Sequence, residues 1–184
     1  LYEANVNNRQ VAIDNALNWW KALEQAPSNE NEYSTDWYVT NKALLDKDKI
    51  LTLTLEELEK VYLRNHAARN HARQMTKESL GLENIKHTIN ECTVAFAHYH
   101  FSFTSKGKDI RKILYYVIYD DKEDICVRIN NALDKNSRYY IPHLGRSLLG
   151  EIVGWARPEE YPIRNNRVNK ALRCLGFNVK VFNE

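Results

Sequence analysis

The segment Ile141-Pro-His-Leu-Gly-Arg-Ser-Leu-Leu-Gly-Glu-Ile-Val153 has the residue order of a short turn followed by a helix. Its chemistry would be that of a phosphate site. Gly145 is the residue expected to allow a tight backbone, because only glycine takes φ > 0 without steric cost. Main-chain N–H groups turned outward there, followed by a helix N-terminus, attract an anion. Arg146 and Ser147 open the expected helix, and Arg146 can add a direct phosphate contact. Ile141 and Leu144 would anchor the turn inward, with Leu148, Leu149, Ile152 and Val153 facing a core. The same residues also fit an ordinary αα-hairpin whose glycine merely ends a loop.

A second basic element follows. Arg164, Arg167, Lys170 and Arg173 recur every three residues, so on a helix they keep to adjoining faces. Val168, Ala171, Leu172 and Leu175 are expected on the opposite, buried side. A cationic helix beside a phosphate-binding turn would follow a nucleic-acid backbone, and Asn165 and Asn166 would offer polar contacts to sugar or base. A solvated amphipathic helix gives the same pattern.

The segment from Tyr140 to Phe177 resembles the second half of the helix-hairpin-helix DNA glycosylase superfamily, at Pro142, Leu144, Gly145, Val168, Leu175 and Gly176. It departs from it twice: His143 stands where the hairpin has its first glycine, and Asn165 stands where the family has its catalytic Asp. An amide cannot stabilise positive charge developing on a sugar, so the resemblance implies DNA contact without base excision. Over roughly residues 108–177 the chain is also similar to an accessory region of bacterial restriction and defence proteins, found beside methylcytosine-dependent restriction NTPases or nuclease domains. Pro158-Glu-Glu-Tyr-Pro-Ile-Arg-Asn-Asn-Arg167 is the most specific part. This likeness implies DNA engagement or sensing on behalf of an attached motor or nuclease.

Other constellations carry less. The six histidines, His66, His71, His87, His98, His100 and His143, show no standard ligand spacing, and Glu91, Cys92 and His98 fit no zinc pattern. They read as core or surface histidines, and no metal or cofactor is expected. Phe96-Ala-His-Tyr-His-Phe-Ser-Phe103 could stack on bases, though core packing is the simpler reading. Trp19, Trp20 and Trp155 read as packing anchors. There is no phosphate-binding Gly-Lys loop, dinucleotide fingerprint or nucleophile elbow.

The elements that must position these residues are helical. Only 6 Gly and 4 Pro punctuate 184 residues, which favours long helices. Apolar periodicity predicts helices from Arg9 to Gln25, closed by Pro27 and Ser28, and from Asp36 to Leu45. Thr54-Leu-Glu-Glu57 is a capping box opening a helix to about Lys77. A helix from about Glu83 to Ser102 has an uncertain end that could be a strand. Ser105-Lys-Gly-Lys108 is a basic turn, and Asp109 caps a helix through Ile118. Asp120 to Asp124 form a solvated turn before a helix from Ile125 to Leu133. The expectation is an all-α protein, with residues 1–104 as an N-terminal helical region and 105–184 as the helix-hairpin-helix-like region, or with both in one continuous domain.

Net charge is +2, but it is unevenly spread. Residues 1–54 carry 5 Lys+Arg against 8 Asp+Glu, 55–104 carry 6 against 6, and 105–184 carry 15 against 10. The basic excess coincides with the turn and the Arg stripe. Cys92, Cys126 and Cys174 are odd in number and lack C-x-x-C spacing, which fits a reducing cytoplasm. No apolar run approaches a membrane span, and no signal peptide is visible. Leu1 in place of Met suggests a trimmed chain or one domain of a longer protein. Together these readings predict non-catalytic DNA binding within a restriction, defence or DNA-processing protein. Two alternatives stand beside it: a protein-interaction scaffold, and a glycosylase or lyase using an unplaced carboxylate.

Overall fold

Thr54 opens one of the best-specified helices. Its hydroxyl accepts the Glu57 amide at 3.2 Å, and the Glu57 carboxylate accepts the Thr54 amide at 2.9 Å, closing the capping box foreseen from the sequence. The computed structural model describes residues 8–22 and 35–181. The described residues form nine α-helices, two short 3₁₀ turns and no strand. The helices are α1 (Arg9–Ala22), α2 (Thr35–Leu44), α3 (Leu55–Leu63), α4 (His66–Gln74), α5 (Ile89–Ser102), α6 (Ile110–Tyr119), α7 (Ile125–Leu133), α8 (Arg146–Ala156) and α9 (Asn166–Cys174). The protein is all-α as expected.

Residues 35–163 make one unit; the described residues before 35 and from 164 onward make another. In the larger unit α5 packs on α3 and α4, and α8 packs on α2, α4, α6 and α7. From Leu148 to Ala156 every residue of α8 is buried, so this helix is the axis of the core. Ile141, Leu144, Leu148, Leu149, Ile152 and Val153 are all buried, as their spacing predicts.

The helix expected from Thr54 to Lys77 is two helices. The chain turns extended at Asn65, whose side chain accepts the Ala68 amide at 2.8 Å. The Glu151 carboxylate, buried on α8, accepts the neighbouring Ala67 amide at 3.1 Å. A cap and an anion at one helix start offset the amides that a new helix leaves open, and this makes the break affordable. The helix expected from Glu83 begins only at Ile89. Thr88 and Glu91 form a second capping box there, with the Thr88 amide donating to Glu91 at 2.7 Å and the Glu91 amide to Thr88 at 3.2 Å. Its far end is helix to Ser102, not strand. Thr88→Ala should lower unfolding stability by about 1 kcal/mol, measurable as a shifted urea midpoint at constant slope.

The C-terminal end of α6 is held by two arginines. Arg128, 1% exposed, lies 3.6 Å from Asp121, and Arg157 donates to the Ile118 carbonyl at 2.8 Å and to Asp121 at 3.0 Å. Cations suit the negative end of a helix. The Asp120–Asp124 turn is therefore not merely solvated: Asp121 bridges both guanidinium groups.

In the smaller unit the Arg9 guanidinium stands 4.4 Å from the centre of the Phe177 ring. Helix α9 ends in a Schellman turn: Gly176 takes φ 80°, its amide donates to Arg173 O, and the Phe177 amide donates to Leu172 O. Helix α1 departs from expectation. Ala12 is buried, but Val11, Leu17 and Trp19 are exposed, Trp19 by 61%. At 100° per residue these positions spread around the helix instead of lining one stripe, so Trp19 is not a packing anchor. Trp155 is one, at 6% exposure. Leu23, Gln25, Pro27, Ser28 and the Trp20 ring lie outside the described residues.

Candidate nucleic-acid interface

The turn before α8 is built from its buried ends. Ile141 and Leu144 enter the core, the Leu144 amide donates to Ile141 O at 3.2 Å, and the Gly145 amide donates to His143 O at 2.9 Å. The left-handed residue is His143, at φ 68°. Gly145 is extended at φ −86°, ψ 169° and serves as the N-cap of α8. This corrects the role assigned to Gly145: positive φ falls two residues earlier, on a histidine, one of the side chains that tolerate it. Gly145 acts instead by leaving space. It makes no side-chain cap, and a Cβ placed there would meet nothing within 4 Å. The start of α8 is therefore open to an approaching group, and the Arg146 and Ser147 side chains beside it are exposed.

A buried histidine fixes this turn. His100 of α5 is fully buried; its Nε2 lies 3.0 Å from Pro142 O and its Nδ1 2.5 Å from the Tyr62 hydroxyl. A carbonyl only accepts, so Nε2 carries the proton and Nδ1 accepts from Tyr62. Burial depresses the His100 pKa to about 3, and raises that of Tyr62. On the outer side, His71 Nε2 meets His143 Nδ1 at 3.0 Å. Burial and then its partner His143 lower the His71 pKa. Lys108 adds a third tie, donating to Tyr140 O at 2.7 Å. His143 belongs to the turn itself, but His71 and His100 could not be assigned to it from local spacing, because they come from α4 and α5.

The segment Phe96–Phe103, expected either to stack on bases or to fill the core, is partly core and partly surface. Phe96 and His100 are buried. His98 is exposed and lies 2.6 Å from Glu59. Tyr99 and Phe103, four residues apart, are half-buried with ring centres 5.2 Å apart.

Arg167, Lys170 and Arg173 on α9, and Arg164 two residues before its start, are all exposed. Arg173 also donates to Val179 O at 3.1 Å. The buried positions are not those expected: Asn166 and Asn169 are buried, Val168, Leu172 and Leu175 are half-buried, and Ala171 is exposed. Asn169 donates to Lys180 O at 3.2 Å, which pulls the buried face toward the chain returning after Gly176. Asn165 is the N-cap, accepting the Val168 amide at 3.1 Å. Its oxygen is thus committed to the helix, and Asn166 is withdrawn from solvent. The stripe and the 141–147 turn belong to different units.

Nearby carboxylates are engaged. Glu159 pairs with Lys42 at 2.6 Å, and Glu160 pairs with Arg157. Among the described residues no group of three or more His, Cys, Asp or Glu could hold a metal ion, and no helix is long and apolar enough to cross a membrane. Compared with family models, curated proteins and solved structures, the chain finds no match.

Proposed function

We propose that the protein binds DNA without altering it, through a helix-hairpin-helix-like C-terminal half, as a cytoplasmic DNA-sensing part of a restriction, defence or DNA-processing system with an associated NTPase or nuclease. The observation that carries this reading is the run of four exposed cations at three-residue steps, Arg164 just before α9 and Arg167, Lys170 and Arg173 on it. Such a row matches the regular charge of a phosphate backbone. Gly145, Arg146 and Ser147 support a second, separate contact, where an open helix start meets an exposed guanidinium. With Asn165 used as a cap, no catalytic group is assigned.

The test is fluorescence anisotropy of a labelled DNA duplex from about 50 to 200 mM salt. Affinity should fall log-linearly, and Arg167→Gln and Lys170→Gln should each reduce the slope by about 1. Charge reversal at Arg146 should weaken binding independently of them. Salt-insensitive binding, or unchanged affinity in all three variants, rejects the reading. One observation favours a scaffold instead: Val11, Leu17 and Trp19 are exposed along α1. Early elution from heparin together with loss of self- or partner-association in Trp19→Ser would select that alternative.

A further inference from the structure

Next to the 141–147 turn, the larger unit carries rings and cations that the duplex-backbone reading leaves unused. Tyr99 stands at the centre. Its ring lies 5.2 Å from Phe103 and 5.7 Å from His143, both edge to face. Tyr99, Phe103 and Tyr140 are half-buried, and His143 is exposed. Two lysines line the same rings: Lys106 Nζ lies 4.7 Å from the Phe103 ring centre and Lys108 Nζ 5.8 Å from that of Tyr140. Neither lysine is in an ion pair among the described residues.

The geometry points to a platform for an unpaired nucleic-acid strand, with Tyr99, Phe103 and His143 stacking on bases and Lys106, Lys108 and Arg146 following the phosphates. The inference rests on the DNA-binding reading and deepens it by naming the form of the strand. Stacking needs a ring that reaches solvent yet is held in place from below. Tyr99 meets this condition because it rests on buried Phe96, with ring centres 6.4 Å apart, and on buried His100 at 5.6 Å. His143 is held by its contact with His71. A duplex has its base faces covered, so it could use the cations but not the rings. Rings and cations alternating over a few residues suit a strand whose bases are splayed.

The experiment uses the full chain with three fluorescent probes at low salt: dT20, a 20-base-pair DNA duplex and rU20. The expected result is tighter binding of dT20 than of duplex. Tyr99→Leu and Phe103→Leu keep apolar volume but remove the ring, and each should weaken dT20 binding about 5- to 100-fold while leaving duplex binding within twofold. Phe103→Trp should retain or strengthen dT20 binding, which a merely damaged fold would not do. Duplex binding as tight as dT20, or both leucine variants within twofold of the parent, overturns the platform. If duplex binding then keeps its salt slope and its dependence on α9, the backbone reading survives alone. No binding to any probe removes both. Preference for rU20 over dT20, lost in the leucine variants, keeps the platform and assigns it to RNA.

Discussion

Gly154→Ala is expected to destabilise the 35–163 unit by about 3 kcal/mol or more, whereas Gly145→Ala should cost less than about 1 kcal/mol. A Cβ on Gly154 would lie 2.6 Å from both the Cα and the backbone N of Ile163, and 2.8 Å from its Cγ1. The first two obstacles are main chain, which no rotamer change can clear. Helix α8 or the 157–163 link must move, and α8 is buried along almost its whole length. Overpacking of this kind usually costs 1–3 kcal/mol, and more where backbone must shift. Gly145 has ordinary extended dihedrals and open space where a side chain would go. Alanine there loses only the small advantage glycine has over it at an N-cap, and serine should stabilise. Urea unfolding followed by helical circular dichroism separates the two. Equal midpoints for the two alanine variants would show that the close approach of α8 to Ile163 does not constrain the fold.

The contrast marks where the sequence was informative. The glycine singled out by the turn pattern is Gly145, and the one whose Cβ would strike main chain is Gly154. Both contribute the same letter, and the difference is the distance to a residue nine positions later. Local signals suffice where local physics decides. Thr54 with Glu57, Asp109 and the 125–133 helix all stand as expected, because a cap is made by residues three or fewer apart. The Thr88–Glu91 box carried the same signal and was legible in principle.

Local sequence does not suffice where a distant group intervenes. Asn65 sits in an uninterrupted helical pattern, and the break is stabilised by Glu151, which accepts the Ala67 amide from eighty-four residues further along. On α9 the row of cations was visible, but the buried side belongs to Asn166 and Asn169 in place of an apolar stripe. Asparagines read as solvent-facing until the carbonyl of Lys180 is seen beside Asn169. The histidine cluster at the turn gives no local signal. His71, His100 and His143 carry no spacing signature, and the fold alone brings them to one place.

Acid should weaken the fold before its carboxylates begin to protonate, and His100 is the principal reason. Burial in the α3–α5 core is the main cause of its depressed pKa of about 3, against an ordinary 6.5. The unfolded chain takes up a proton below about pH 6.5, while the native state resists until about pH 3. Between those limits the unfolded state binds more protons, so stability is full above pH 6.5 and declines as pH falls. At about 1.4 kcal/mol per pH unit, one such site loses roughly 2 kcal/mol by about pH 5. His71 is shifted in the same direction and adds to the loss. The acids with depressed pKa values, among them Glu57, Glu91, Asp109 and Asp121, also favour the native state at higher pH. Their contribution fades only below the normal carboxylate range, so pH 6.5 to 5 isolates the histidines. Urea midpoints across that interval should fall steadily in the parent protein. His100→Gln keeps a donor for Pro142 and an acceptor for Tyr62 but cannot titrate, so its midpoints should start lower and vary much less with pH. An unaltered pH slope in that variant would place the proton uptake elsewhere. The proton in this range is taken up by the unfolded chain, while native His100 still donates to the Pro142 carbonyl, so binding through the 141–147 turn should be lost together with the stability and not before it.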